Sequence, residues 1–284
     1  MVRKATQADL DALVKFRCAT FGSTPTAAAG WLLNVAGLDN IFLVTQEPAS
    51  DAPAAMLCAL PVQCMEHRGV LFCGMATQTA CQGRGLMTKL LSGCLRAFAA
   101  GDCDFALTAQ ISAHNAAKLA SLGFAGAFPL RVVDKPISRN LWAQADFDNL
   151  TVKRLIETRL RYQPGCVCLS ESSMAEAVTQ MYAKGMTLVS SARGYGLYYQ
   201  QEPPESGEGP TLQFVELQAD NDHSADVLLQ AAREKTGAER ARIVLAESQA
   251  LYLGEGRRCG YAMIRFLQKP FSVRDAYFRL LLGE

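Results

Sequence analysis

The feature that most constrains this chain is a glycine loop between an apolar run and a helical pattern. The run spans residues 70–77, and the loop Cys81-Gln82-Gly83-Arg84-Gly85-Leu86-Met87 follows it. Apolar residues then recur at the spacing of one helix face, at Leu86, Leu90, Leu91, Cys94, Leu95 and Phe98. The predicted order is strand, loop, helix. Glycines allow a sharp turn without side-chain bulk, and the free N–H groups of a helix start favour a phosphate.

The spacing of the glycines limits which phosphate ligand the loop could hold. A dinucleotide fingerprint needs a third glycine where Thr88 stands, and no Gly-Lys-Ser/Thr of a Walker loop is present. The loop resembles motif A of the GCN5-related N-acetyltransferases, Gln/Arg-x-x-Gly-x-Gly/Ala, with Met87 in place of the small last residue. The resemblance implies that the pyrophosphate of acetyl-CoA binds at Gln82, Gly83, Arg84, Gly85, Leu86, Met87 and Thr88. A tight turn without a ligand is the alternative reading.

The elements around the loop extend this resemblance over residues 1–135. Strands are predicted near residues 2–5, 41–45, 54–62, 70–77 and 105–109, and helices near 7–21, 24–35, 86–98 and 112–122. The ending Leu122-Gly123-Phe124 is also similar to that family. The resemblance implies that Met75, Ala76 and Thr77 contact pantetheine and the thioester, and that Asn115 contacts pantetheine or phosphate. A plain helix cap is the alternative role of Asn115.

The second half repeats part of this order. We expect irregular chain over 126–148, helices near 150–160 and 173–183, and strands near 187–191, 194–199 and 261–267. A strand near 212–217, a helix near 225–235 and a strand near 241–246 repeat the arrangement around the glycine loop. The turn between them, Asp220-Asn221-Asp222-His223, has no glycine, and its carboxylates would repel a pyrophosphate. A capped helix start or a metal site could explain this turn.

These observations predict an α/β fold of two tandem lobes, each a mixed, mostly antiparallel sheet flanked by helices. The lobes are predicted as 1–135, which binds acetyl-CoA, and 136–284, which is degenerate and does not. The arrangement is similar to the enhanced-intracellular-survival acetyltransferases without their sterol-carrier-like domain. Fem-type aminoacyl transferases also have tandem lobes, but they lack this loop.

The side chains that would act as acid or base in the acyl transfer are harder to identify. The resemblance implies a Tyr that acts as general acid four residues before Gly123, where this chain has Leu119. No general base stands out. His114 is the candidate catalytic residue, because it could approach the thioester, and a surface histidine is the alternative. Glu66, on a hairpin, is a weaker candidate. Cys81 adjoins the loop, where a helix start could activate its thiol. Tyr195, Tyr198 and Tyr199 could line an acceptor pocket or belong to the core.

Composition restricts partners and location. The net charge is +1 without a basic block, which argues against nucleic acid, and no apolar run has the ~20 residues of a membrane helix. No signal peptide is visible at the start of the sequence. The ten cysteines contain no C-x-x-C pair and there are three histidines, so no metal site is predicted. Free thiols favour the cytoplasm.

We therefore expect an N-acetyltransferase that moves an acetyl group from acetyl-CoA to an amine acceptor, which the sequence does not identify. A catalytically silent CoA-binding or interaction protein with the same fold is the alternative, because the acidic Tyr is missing. Turnover with a panel of amines separates the two, whereas CoA binding does not.

Overall fold

The computed structural model of the protein describes residues 2–45, 52–109, 113–139, 145–147, 150–201 and 209–279. The protein divides into two compact units. The first comprises Met1–Ala125, Ser172–Glu176 and Ala262–Phe271, and the second comprises Gly126–Glu171, Ala177–Tyr261 and Ser272–Glu284. Each unit is therefore built from separate stretches of chain, whereas the sequence suggests a single boundary after residue 135. Within the described ranges, no helix combines the length and apolar character needed to cross a bilayer.

The elements are numbered in chain order. The strands are β1 (Val2–Lys4), β2 (Ile41–Thr45), β3 (Pro53–Cys64), β4 (His67–Thr77), β5 (Phe105–Ala109), β6 (Ala125–Ala127), β7 (Leu130–Pro136), β8 (Val167–Leu169), β9 (Thr187–Ser191), β10 (Gly194–Gln201), β11 (Thr211–Ala219), β12 (Arg240–Ala246), β13 (Arg257–Cys259) and β14 (Ala262–Phe266). The α-helices are α1 (Leu10–Phe21), α2 (Pro25–Gly30), α3 (Leu86–Ala99), α4 (Ala113–Ser121), α5 (Val152–Tyr162), α6 (Glu171–Ala183) and α7 (Asp222–Thr236).

Local sequence signals explain how the first helices begin and end. The Asp9 carboxylate accepts hydrogen bonds from the Thr6 N–H and the Arg3 guanidinium just before α1. Gly22 then ends α1 in the left-handed region, with φ +66°. The Thr24 hydroxyl accepts from the Ala27 N–H at the start of α2. The predicted second helix is confirmed, and it continues as a π-helical segment over Trp31–Ala36.

The sheet of the first unit has the strand order β1-β2-β3-β4-β5-β14. Neighbouring strands are antiparallel except β4 and β5, which are parallel and joined by α3. The predicted late strand exists as β14, but it pairs with β5 and belongs to the first unit. Its sequence gives no sign of this partner, because strands pair through backbone groups that nearly every residue carries.

The sheet of the second unit has the order β13-β7-β12-β11-β10-β9. Strands β11 and β12 are parallel and joined by α7, whereas the other neighbours are antiparallel. This is the same strand–helix–strand connection as β4, α3 and β5. The predicted repetition of the arrangement is thus present in the topology.

The expectation of irregular chain over 126–148 was wrong for residues 130–136, which form β7. Prolines at both ends of this strand suggested a break, and Arg131 interrupts its apolar pattern. Arg131 is buried because its guanidinium donates to the carbonyl oxygens of Gln249, Leu251, Tyr252 and Glu255, at 2.6–3.0 Å. The side chain thereby holds the loop that follows β12.

Each sheet packs a buried apolar cluster against its crossover helix. In the first unit, Leu90, Leu91, Cys94 and Leu95 of α3 pack on a cluster that includes Phe72 and Ala106. In the second, Leu228, Leu229 and Ala232 of α7 pack on a cluster that includes Phe214 and Ile243. These helix residues recur at the three- and four-residue spacing of one face, so the crossover helix is fixed on the sheet in both units.

Candidate functional site

Strands β4 and β5 separate part-way along the first sheet. They pair only at Gly69↔Phe105, Val70↔Ala106 and Leu71↔Leu107. Beyond that point β4 stays paired with β3, whereas β5 continues beside β14. One edge of the β4 backbone over residues 72–77 therefore faces a gap. No side chain in the described ranges hydrogen-bonds to residues 72–76 across this gap.

A β-bulge lies in β4 beside the gap. The register between β3 and β4 shifts between Met56 and Cys58, where β4 has one residue more than β3. Gly74 lies in the bulged stretch with φ +56°. A side chain there would be strained and would lie 3.4 Å from both Cys58 Sγ and Trp31 Cη2. Bulges of this kind turn backbone groups away from the ladder, and a glycine inside an apolar run is the sequence signal that we did not use.

The glycine loop follows the open end of β4. A short 3₁₀ turn, Thr79–Cys81, leads into it. Gly83 and Gly85 are left-handed, with φ +77° and +71°, and a Cβ on either would meet nothing within 4 Å. Gly85 is the residue before α3, and no side chain caps the first N–H groups of that helix. The loop therefore presents backbone donors to open space.

Two glutamines tie the loop to the sheet. The Gln78 backbone N–H donates to the Ala54 carbonyl at 2.9 Å, and the Gln78 side chain donates to the Pro53 carbonyl at 2.8 Å. The Gln82 side chain donates to the carbonyl of Thr77, at 3.4 Å. The position of the loop is consequently fixed relative to the edge of β4.

The charges near the start of α3 favour an anion. Arg84 and Lys89 are exposed, and the first turn of α3 contains no acidic residue. The positive end of the helix dipole adds to these charges. Five of the predicted loop residues, Gln82, Gly83, Arg84, Gly85 and Thr88, are exposed.

The remaining predicted binding residues are less exposed. Met75, Leu86 and Met87 are half-buried and pack against the first apolar cluster, so only their backbone groups are available to a ligand. Ala76 is buried and Thr77 is half-buried at the end of β4, and Asn115 is exposed on α4. Met87 can thus replace a small residue because its side chain is directed to the core.

The candidate catalytic side chains that the structure describes lie in different environments. His114 belongs to α4, but its side chain lies outside the described residues. Glu66 is 79% exposed on the turn between β3 and β4, 3.5 Å from His67 Nε2. Leu119 is buried in the apolar cluster, so a side chain at this position faces the core. Cys81 is buried beside the loop.

The three tyrosines have mainly structural positions. Tyr195 and Tyr198 are 0% and 1% exposed in the second unit, and Tyr199 is half-buried. The Tyr195 hydroxyl donates to Glu216 at 2.9 Å. The core interpretation is therefore confirmed for Tyr195 and Tyr198.

The corresponding turn of the second unit is built differently. The Asn221 side chain accepts from the Ser224 N–H at 2.9 Å, which confirms the capped helix start. The Asp222 carboxylate accepts from the Tyr252 N–H at 2.7 Å. Residues 219–223 also line a cavity of about 570 Å³. One donor of the first turn of α7 is thus already used, and two carboxylates, Asp220 and Asp222, line the same cavity.

The gap beside β11 is also filled. Strands β11 and β12 pair only as far as Phe214↔Ile243, and β11 has a register shift beside this point, as β4 does. Here the Arg279 side chain donates to the Val215 carbonyl at 3.1 Å, and Gln249 donates to the Leu217 carbonyl at 2.7 Å. The backbone edge that is open in the first unit is occupied by the protein's own side chains in the second.

Comparison with known proteins places this geometry in a fold. No family model matches the chain, and no curated protein matches its sequence. Solved structures do match. A GCN5-related N-acetyltransferase from Anabaena variabilis has a TM-score of 0.70 and 14% identity, covering 94% of this chain and 73% of that chain. Eis1 from Mycobacterium abscessus has a TM-score of 0.67 and 12% identity, covering 94% and 74%.

A more distant structure shares the same arrangement. The N-myristoyltransferase of Saccharomyces cerevisiae with bound myristoyl-CoA has a TM-score of 0.57 and 9% identity, covering 99% of this chain and 83% of that chain. The predicted α/β architecture and its likeness to the tandem-lobe Eis type are confirmed at the level of structure. The chain therefore has the fold of the GCN5-related N-acetyltransferases.

Proposed function

We propose that this protein is an N-acetyltransferase that uses acetyl-CoA to acetylate an amine. The observation that carries the proposal is the meeting of two features at one point of the first unit. The open edge of β4 ends where the uncapped start of α3 begins. Acetyl-CoA, an extended thioester with a phosphate at one end, matches the open backbone edge of β4 followed by the anion site at the start of α3.

The loop residues fit a pyrophosphate. Gly83 and Gly85 leave the space in front of the loop free of side chains, and backbone N–H groups at a helix start bind phosphate oxygens. Arg84 and Lys89 add positive charge nearby. We therefore assign CoA binding to Gln82, Gly83, Arg84, Gly85 and Thr88, together with the backbone of Leu86 and Met87.

The edge of β4 supplies groups for the rest of the ligand. Backbone groups of Met75, Ala76 and Thr77 lie where β4 no longer pairs with β5. We assign pantetheine and the thioester to this edge, and Asn115 to the same ligand. The neighbour with bound myristoyl-CoA supports acyl-CoA binding by this fold, and acetyl is our choice of acyl group because two of the similar structures are named as GCN5-related N-acetyltransferases.

The reaction requires an unprotonated amine. The amine nitrogen attacks the thioester carbonyl, the C–N bond forms, the nitrogen gives up one proton to water, and the C–S bond breaks. The sulfur leaves as a thiolate, which takes up a proton from water. A CoA thiol resembles a cysteine thiol, with a pKa of ~8.5, so it can leave near neutral pH without a donor, whereas an alkyl ammonium with a pKa of ~10.4 must first lose its proton.

Two features set the expected rate. Because Leu119 is buried in the core, no acid acts from the position where the family has its Tyr. General acid catalysis contributes about 10²–10⁴-fold, so transfer should be slow. It should become faster as the pH rises from about 6 to 9.5, because a larger share of the amine is then unprotonated.

The test is thiol release with acetyl-CoA and a panel of amines, together with binding calorimetry of CoA. We expect one equivalent of CoA per chain and amine-dependent thiol release. Tight CoA binding without release at any pH would favour the silent CoA-binding protein instead. No CoA binding would contradict both interpretations.

We also propose a cytoplasmic location. All ten cysteines are free thiols, and seven of them are buried. Free thiols in this number are typical of a reducing compartment. Oxidation of these cysteines to disulfides in the protein isolated from its host would contradict this location.

A further inference from the structure

We propose that the substrate of this protein carries a carboxylate, which binds the guanidinium of Arg17 beside the open edge of β4. This inference rests on the proposed acyltransferase function and specifies the class of its substrate. The carboxylate could belong to the acyl chain of the thioester or to the amine acceptor. The chemistry at Arg17 is the same in both cases.

Aromatic rings hold Arg17 in place. Its guanidinium carbon lies 3.8 Å from the centre of the Trp31 ring and 4.9 Å from the centre of the Phe21 ring. Trp31 is 4% exposed, whereas Phe21 is 44% exposed. A planar guanidinium stacked on an aromatic face keeps its outer nitrogens available for a bidentate contact with a carboxylate. The stacking therefore orients Arg17 without using its terminal donors.

No group in the described ranges neutralises this charge. Arg17 forms no ion pair and no hydrogen bond there, and its buried Nε has no acceptor. The nearest ionisable groups are the thiols of Cys18, Cys58 and Cys73. The pKa of Arg17 is lowered, chiefly because burial removes water from the cation. The other arginines with a buried charge in this protein have partners: Arg131 contacts carbonyls and Arg159 contacts Glu216.

Arg17 lies at the part of β4 where we place the thioester. A Cβ built on Gly74 would lie 3.8 Å from Arg17 Nη1 and 3.4 Å from the Trp31 ring. Gly74 is the left-handed residue of the bulge beside the gap between β4 and β5. Only a few atoms of the substrate would thus separate a carboxylate bound to Arg17 from the backbone groups that would hold the reacting carbonyl.

The Trp31 ring under Arg17 gives a binding signal that is independent of turnover. The chain has two tryptophans, so the substitution Trp142→Phe leaves Trp31 as the fluorophore. We would titrate this variant with succinate, with phenylalanine and with the carboxylate-free phenethylamine. The carboxylates should change the Trp31 emission with saturation, phenethylamine should not, and Arg17→Gln should abolish the change.

Kinetics then separate the two sources of the carboxylate. Succinyl-CoA is compared with acetyl-CoA at a fixed amine, and phenylalanine with phenethylamine at fixed acetyl-CoA. The wild type should prefer the carboxylate partner in one of these pairs by at least tenfold in kcat/KM. Arg17→Gln should remove that preference with unchanged affinity for CoA, Arg17→Lys should retain part of it, and Lys15→Gln, an exposed change on the same helix, should leave it intact.

The outcomes are distinct from those of the proposed function. Saturable binding of a carboxylate that depends on Arg17 would support the site even if no acyl transfer occurred. No carboxylate-dependent fluorescence change in the Trp142→Phe protein, or a change that persists at full size in folded Arg17→Gln, would overturn the inference even if transfer to other amines were rapid.

Discussion

The buried ion pair of the second unit offers a sharp test of the energetics of this fold. Arg159 Nε lies 2.8 Å from Glu216 Oε1, with side chains 1% and 0% exposed. The N–H does not point along this line, so the contact is an ion pair without an aligned hydrogen bond. The Tyr195 hydroxyl also donates to Glu216 Oε1 at 2.9 Å. Removal of the carboxylate charge would leave Arg159 buried without compensation.

We predict that Glu216→Gln is strongly destabilising. Loss of one partner of a buried pair costs about 3–5 kcal/mol, because the remaining charge stays desolvated. At roughly 2–4 °C per kcal/mol for a chain of about 150–250 residues, the melting temperature of the second unit should fall by about 6–20 °C. Differential scanning calorimetry is the assay, since it measures each unfolding transition of a chain that has two compact units.

Two comparisons make the result decisive. Asp134→Asn removes a carboxylate 2.7 Å from Arg242 in the same sheet, where both side chains are about half exposed; it should cost only about 0–1 kcal/mol. A chain with Arg159→Met, Glu216→Leu and Tyr195→Phe removes both charges and the Tyr195 hydroxyl, and leaves only the neutral Gln218 side chain and the Arg279 carbonyl beside them; it should regain most of the loss. The reasoning fails if Glu216→Gln costs no more than Asp134→Asn, or if the triple variant is as unstable as Glu216→Gln.

Three further predictions concern the loop, the core and one thiol. Gly85→Val and Gly237→Val both place a side chain on a left-handed residue that faces open space, and each should cost at least about 1–2 kcal/mol of stability. Only Gly85→Val should weaken CoA binding in calorimetry. Equal CoA affinities of the two variants would exclude the glycine loop as the CoA site. Leu119→Tyr should lower stability in thermal unfolding by about 1–3 kcal/mol through overpacking without accelerating transfer; a faster enzyme of unchanged stability would contradict this. The pKa of Cys168 is lowered to about 7, chiefly by a hydrogen bond with Cys166. The rate of its alkylation by iodoacetamide, followed by mass spectrometry, should therefore rise with pH around a midpoint near 7. A midpoint near 9 would argue against that hydrogen bond.

The sequence predicted the elements that carry a strong period or a clear end signal. Strand β2, strand β9 and helix α3 lie where apolar spacing and glycines placed them. Glycines end α1 and α7 in the left-handed region, as expected of helix C-termini. Such signals depend on residues close in sequence, so they can be read without knowing the tertiary partners.

Features that depend on distant partners could not be predicted. Strand β7 was missed because Arg131, a charged residue, is buried there by carbonyls more than a hundred residues away. Strand β14 was predicted as a strand, but its pairing with β5 joins residues far apart in the chain. Arg17 was overlooked for the same reason. Its contact with the Trp31 ring and its lack of a carboxylate partner both depend on tertiary packing, which the sequence does not show.

The candidate site also combines a feature that is local in sequence with one that depends on distant partners. The glycine loop is a local feature, and its glycines identify it in the sequence. The gap between β4 and β5 is a consequence of register: three pairs form, and then each strand follows a different neighbour. No residue pattern specifies where two parallel strands separate, so the binding edge of β4 could be assigned only through resemblance to a family.

The second unit shows what distinguishes the gap in the sheet of the first unit. Both units have a parallel strand pair that separates beside a register shift, followed by a crossover helix. A gap in a sheet leaves backbone groups without partners, which is costly unless a ligand, water or side chain satisfies them. In the second unit Arg279 and Gln249 satisfy the carbonyls of Val215 and Leu217, and Asn221 caps the helix. The first unit lacks such substitutes in its described residues, so the same topology is a closed structural element in one unit and an open site in the other. A stoichiometry of two CoA molecules per chain would contradict this distinction.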